Sequence, residues 1–193
     1  MKIARFLEST PKWQHKDPKV RAKAITAGLP LEQLLLIVSD DEDESVKLLA
    51  ISNIDDRIAL EKLHRSTETG KQPEQLAVIN RWVQLAEKEP ADTLKTIINS
   101  ETDTLLLNGI IKQAESIELR ESAVLWLSTE NQLLEILNAP NHSKIHQVAA
   151  QKLCDEFPES MQLESLQQQF LDKDKNVVRI IKSTREALKL KQQ

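Results

Sequence analysis

Apolar positions recur at helical spacing wherever a run is long enough to test. Leu31, Leu34, Leu35 and Val38 fall at i, i+3, i+4 and i+7, and Leu76, Ile79, Trp82 or Val83, and Ala86 follow the same rule. Leu163, Leu166 and Phe170 repeat it, as do Val177, Ile180, Ile181, Thr184 and Leu188. No comparable stretch of strict alternation indicates a half-buried strand. Pro18, Pro30, Pro73, Pro90 and Pro158 each precede a periodic segment, where a missing N–H costs nothing because first-turn donors have no acceptor within the helix. The pattern predicts helices over 18–27, 31–38, 44–53, 56–65, 73–88, 91–99, 103–113, 117–127, 130–138, 142–156, 160–171 and 175–190.

The connections between these segments are only a few residues long, so consecutive helices run antiparallel. Each has a single apolar stripe that it cannot bury alone, and stacked helical pairs solve that problem. Internal similarity points the same way. Residues 17–25, Asp-Pro-Lys-Val-Arg-Ala-Lys-Ala-Ile, resemble residues 43–51, Asp-Glu-Ser-Val-Lys-Leu-Leu-Ala-Ile, with Val20 and Val46 separated by 26 residues. Leu119-Arg120 with Ala123-Val124 and Ile145-His146 with Ala149-Ala150 repeat the frame at the same spacing. Val178-Arg179 reads as a weaker fifth copy, with Lys182 where a small residue is expected. The register between 56 and 115 is not assignable.

Each part of this unit has a physical task. The small residue lets two helices approach, and the branched residue four before it fills the groove. The Asp ahead of the helix caps its free N–H groups, while the basic residue after Val is placed to reach an acidic loop of the next repeat. The pattern is that of HEAT-like repeats, in a compact form beside their usual length of roughly 40–47 residues. The fold expected is an all-α, right-handed α-solenoid of about six short helical hairpins, forming one domain over 1–193.

The segment Pro11-Lys12-Trp13-Gln14-His15-Lys16-Asp17-Pro18-Lys19-Val20-Arg21 resembles the start of long bacterial proteins in the family named domain of unknown function 349. The likeness is tight over 11–25 and rests on repeat patterning beyond that. It implies a HEAT-like N-terminal region and almost nothing about activity. No counterpart of the family's defining downstream segments is present, and the sequence stops inside an amphipathic segment, Lys189 to Gln193. The expectation is either an N-terminal fragment of a longer protein or a shortened relative.

Composition sharpens the picture. The chain has 193 residues, with three Gly, three Phe, three Trp and no Tyr. So few glycines cannot supply the positive-φ turns of a hairpin-rich sheet or a glycine-rich phosphate cradle. Net charge is −4, but residues 1–25 carry seven basic groups against two acidic ones, as do residues 173–193. Both ends stand at +5, and the body between them at −14. One cysteine, Cys154, excludes an internal disulfide and suits a reducing cytoplasm. The longest apolar runs, Leu34 to Val38 and Leu105 to Leu107, fall far short of the roughly 20 residues of a membrane span, and no signal peptide is evident. A cytoplasmic protein that does not engage membranes is expected.

Candidate chemistry is sparse. His142 and His146 stand four apart on one helical face, as metal-binding imidazoles do, but Ser143 follows where a metalloprotease has Glu; a capping His142 and a ladder His146 are the simpler reading. Iron-binding HEAT-like hydroxylases carry repeated His-Glu pairs, which this sequence lacks. Thr69-Gly70-Lys71 fails the phosphate-loop pattern at Arg65 and Gln72, and reads as a linker from Ser66 to Gln72. The five carboxylates of Asp40 to Glu44 lack the alternation and glycine of a calcium loop, and read as a solvated loop favouring the next helix N-terminus. Cys154 reads as inert core. Trp82 and Trp126 occupy core positions of the pattern, while Trp13 either caps the stack or docks another chain.

The expected function is a non-catalytic scaffold for an unidentified protein partner, with no cofactor, catalytic or metal-binding residue. The alternative is a nucleic-acid-binding or DNA-repair-associated HEAT-like module, for which the basic N-terminal cluster (Lys2, Arg5, Lys12, Lys16, Lys19, Arg21, Lys23) is the candidate contact. The acidic body makes a basic concave groove hard to build.

Overall fold

The computed structural model describes residues 10–66, 72–90, 93, 97–98 and 102–191. Among them the chain is all-helical, without a strand. A 3-10 turn (Lys12–Gln14) precedes α1 (Pro18–Thr26), α2 (Leu31–Asp40), α3 (Glu44–Ser52), α4 (Arg57–Ser66) and α5 (Gln72–Ala86). Then come α6 (Thr104–Gln113), α7 (Ile117–Leu125), α8 (Glu130–Asn138), α9 (Ser143–Glu156), α10 (Leu163–Phe170) and α11 (Lys175–Lys191). The helix expected over 91–99 falls almost wholly outside the described residues. So does the linker, since Ser66 closes α4 and Gln72 opens α5.

Local chemistry sets the helix ends. Asp17 caps α1 through Lys19 N, and Asp43 accepts from Ser45 N and Val46 N at the head of α3. Asp103 and Ser116 cap α6 and α7, and Thr129 with Gln132 forms a reciprocal capping box on α8. Gly28, at φ +98°, turns the chain after α1 in a conformation that a side chain disfavours.

The contacts gather into two compact units, residues 1–85 and 86–193, where the sequence pattern suggests one domain over 1–193. In the first unit the 3-10 turn packs on α1, α1 on α3, and α2 on α3. Ile25, Leu34, Ile51, Leu60 and Trp82 form its buried interior. In the second, α7, α9 and α11 lie side by side in chain order, while α6 packs on α7, α8 on α9, and α10 on α11. Its core includes Ile110, Leu119, Leu133, Leu153, Phe170 and Ile181, all at most 2% exposed. A fully buried aliphatic or aromatic side chain of this kind contributes about 1.5–3 kcal/mol.

The small-residue rule holds at four registers: Ala24, Ala50, Ala123 and Ala149 are all buried. The fifth register differs by one position from the sequence reading. Asp174 accepts from Asn176 N and Val177 N as Asp43 does from Ser45 N and Val46 N, so Val177 and not Val178 is the counterpart of Val46. Ile181 then takes the small-residue place, fully buried, and the misfit of Lys182 disappears. Two further side chains depart from the pattern. Leu76 is 50% exposed, because the buried stripe of α5 continues through Val78. Trp126 is 43% exposed: it is the C-cap of α7, where the chain leaves the helix and the periodicity no longer fixes direction.

Candidate functional site

At the four registers capped by Asp17, Asp43, Ser116 and His142, the residue four after the cap (Arg21, Lys47, Arg120 and His146) makes the contacts that follow. Arg21, after cap Asp17, donates from Nε and Nη2 to the two carboxylate oxygens of Asp41, both at 2.7 Å, and from Nη1 to His15 O at 2.7 Å. Asp41 closes α2, where a carboxylate meets the negative end of the helix dipole; the guanidinium offsets that repulsion. The hydrogen bond to Asp41 chiefly raises the Arg21 pKa, against an opposing effect of burial. Lys47, at the next register, pairs with Glu74 at 3.7 Å. Both of these cations thus meet a carboxylate further along the chain, Asp41 in the loop after α2 and Glu74 in the first turn of α5.

This arrangement disposes of several candidates. In the acidic run, Asp40 belongs to α2, Asp41 binds Arg21, and Asp43 caps α3. Ser45, donating from its hydroxyl, and the Val46 N–H hold the Asp43 carboxyl below its usual range. Lys12, Lys16, Lys19 and Lys23 of the N-terminal cluster are exposed, but an open cleft of about 480 Å³ beside them is lined by Asp40, Asp41 and Glu42 as well as Lys16 and Arg21. Of the cluster, Lys16 and Arg21 thus share a cleft with acids of their own unit, while Lys2 and Arg5 lie outside the described residues. Half-buried Trp13 also lines that cleft, from the turn that packs on α1.

The second unit repeats the register with altered chemistry. Arg120 follows cap Ser116 by four and reaches forward as Arg21 does, but its Nη2 donates at 2.8 Å to the Asn141 side-chain oxygen, a neutral amide. Asn141 in turn donates to Ile136 O at 2.9 Å. His146, at the next register, meets Ala139 O through Nε2 at 3.0 Å and sits edge-on to Phe170, with ring centroids 5.1 Å apart. That backward contact parallels Arg21 to His15 O. His142 caps α9 by accepting from Lys144 N at 3.2 Å. The two histidines thus take the capping and ladder places that the sequence pattern suggests.

Asp174 ties the loop before α11 to α9 by accepting from the Ser143 hydroxyl and from the Gln147 amide at 3.1 Å. Burial pushes its carboxyl up, but these donors and two backbone N–H groups outweigh that and leave it below the usual range. Cys154 is buried in α9, and desolvation pushes its thiol up. Trp82 is fully buried, its Nε1 donating to Glu61 at 3.0 Å. Thr69-Gly70-Lys71 lies outside the described residues. Among the described residues no group of three His, Cys, Asp or Glu is placed to hold a metal ion, and no helix is long and apolar enough to cross a membrane.

Sequence reasoning did not find the feature that sets the second unit apart, an open cleft of about 720 Å³ whose lining includes Lys112, Arg120, His142, His146 and Lys173 and no carboxylate. Its one legible signal is the exchange of Asp for Asn at the ladder's receiving end, 20 residues after Arg21 in one unit and 21 after Arg120 in the other. No family model, curated protein or solved structure matches this chain.

Proposed function

We propose that the protein is a non-catalytic helical-repeat scaffold, a compact HEAT-like right-handed solenoid whose exposed faces bind a protein partner. The observation that carries this reading is the shared register of cap, apolar contact, small residue and ladder residue at Asp17, Asp43, Ser116 and His142. It supports serial stacking of like units, an arrangement that presents an extended binding surface. The side-by-side order of α7, α9 and α11 agrees with it. The likeness of residues 11–25 to domain of unknown function 349 proteins supports the same fold and is part of the proposal.

Trp13, with Leu36 at 47% exposure, lines the first unit's cleft and is the candidate anchor for the partner. The test is affinity capture with the intact chain and with a Trp13→Ala/Leu36→Asp variant of unchanged circular dichroism. A partner retained by the first and lost by the second supports the scaffold; equal recovery refutes that anchor. Nucleic acid is the second reading, favoured by the carboxylate-free cleft of the second unit. Salt-dependent retention of duplex DNA or structured RNA by the intact chain would establish it in place of the scaffold.

A further inference from the structure

We propose that the cleft between the α8–α9 loop and the ends of α6, α7 and α10 binds the phosphate group of a small phosphorylated molecule. The proposal stands apart from the scaffold reading, since a phosphate can seat here whether or not a protein docks elsewhere.

Three observations carry it. The first is charge. Lys112, Arg120 and Lys173 line the cleft, and among the described residues none of them forms an ion pair. Elsewhere in the molecule Arg21, Lys47, Arg81, Lys152 and Arg185 each pair with a carboxylate. Lys112 and Arg120 come from the acidic body and Lys173 from the basic C-terminal segment, and the three meet on one cleft that no carboxylate lines. An adjoining hollow shares Lys112 and Arg120 and includes Glu135, which is exposed and pairs with neither.

The second is the register. Arg21 receives a carboxylate where Arg120 receives an amide. A neutral partner holds the Arg120 side chain in place through one Nη and leaves its charge uncompensated. The Nε atom of Arg120 is buried and has no hydrogen-bond partner. In Arg21 the same atom donates to Asp41. A guanidinium has a flat edge of parallel donors that matches two oxygens of a carboxylate or phosphate. In Arg120 the Nη2 of that edge is taken by Asn141 and the Nε is left without an acceptor, so the group is held in place while its charge goes unmatched within the chain.

The third is size and lining. A volume of about 720 Å³ is in the range of small-molecule sites, roughly 300–1,000 Å³. Leu137, Ala139 and Pro140 give one wall an apolar face for the ligand's organic part. Lys173 Nζ stands 6.0 Å from the Phe170 ring on the same wall, and His142, whose Nδ1 accepts from Lys144 N, has its Nε2–H available as a further donor. A phosphate monoester carries about −1.5 to −2 charges at neutral pH, which three cations can balance. The acidic body opposes a long polyanion, so a compact phosphate is favoured over a nucleic-acid backbone.

The experiment uses the full chain, with inorganic phosphate, pyrophosphate and a short DNA duplex as probes at low and moderate salt. Binding is read by calorimetry and by the Nε–H resonance of Arg120. Pyrophosphate is expected to bind, to shift that resonance, and to weaken with salt. Asn141→Asp supplies the missing carboxylate internally and is nearly isosteric; it is expected to weaken pyrophosphate binding about tenfold or more while keeping the native circular dichroism. Lys173→Gln, at an exposed position, is expected to weaken it several-fold without touching the Arg120 network. Absence of pyrophosphate binding at low salt overturns the proposal, as does parental affinity retained by both variants. Tighter binding of the duplex, lost in the same variants, overturns the small-ligand assignment in favour of nucleic acid.

Discussion

Replacing Asp41 by Asn gives the first unit the pairing that the second unit already has. The wild-type pair has two bonds of 2.7 Å, with 14% of the Arg21 side chain and 4% of the Asp41 side chain exposed. The amide keeps one acceptor, so one charge-assisted bond is weakened and the other is lost. Hydrogen bonds to charged groups contribute about 1.5–3 kcal/mol and neutral ones about 1, and the part of the guanidinium still in water is screened. The expected destabilisation is therefore about 1–2 kcal/mol. For a chain of this length that lowers the melting midpoint by about 2–8 °C. The assay is urea unfolding followed by Trp82 fluorescence in a Trp13→Phe/Trp126→Phe background, shared by parent and variant, with the midpoint falling and the denaturant slope unchanged. An Asp41→Asn chain that unfolds within about 0.3 kcal/mol of the parent, below what separate sites contribute to non-additivity, would refute the ladder as a stabilising device.

Three other outcomes are expected. Phe170→Ala should cost about 3–5 kcal/mol in chemical denaturation, the usual range for a buried aromatic, because the ring is 2% exposed and its edge contact with His146 goes with it. Asp174 has a lowered carboxyl pKa in the folded chain, so its stabilisation is complete above the unfolded value near about 4 and is lost as pH falls through the folded value; Asp174→Asn should flatten that acid limb of the stability profile while leaving its neutral plateau lower. The Cys154 thiol, buried and with its pKa raised, should resist a thiol-reactive disulfide reagent in the native state and react at the rate of a free thiol in urea; rapid native-state labelling would contradict its burial.

Helix positions were readable because their determinants are local. Apolar spacing selects the inward face, and a capping side chain acts over two or three residues, so Asp43 and His142 could be placed from sequence. The misplacements occur where local rules stop. Trp126 sits on the C-cap, where the chain has left the helix, and Leu76 sits where the buried stripe shifts to Val78. The fifth register was set by a side chain, Asp174, that binds Val177 N, and apolar spacing alone could not choose between Val177 and Val178.

The sequence by itself determined that this chain is helical, how its caps and small residues repeat, and which basic residue follows the caps Asp17, Asp43 and Ser116. Tertiary structure decided which cations are neutralised. Arg21 and Arg120 are alike in sequence context, but their partners arrive from loops about twenty residues on, after an intervening helix has turned back. Charge compensation depends on distance in space, and Coulomb energy between groups so far apart in the chain is set by packing and not by propensity. Only the folded second unit shows that Lys112, Arg120 and Lys173 converge on one cleft and that no carboxylate lines it.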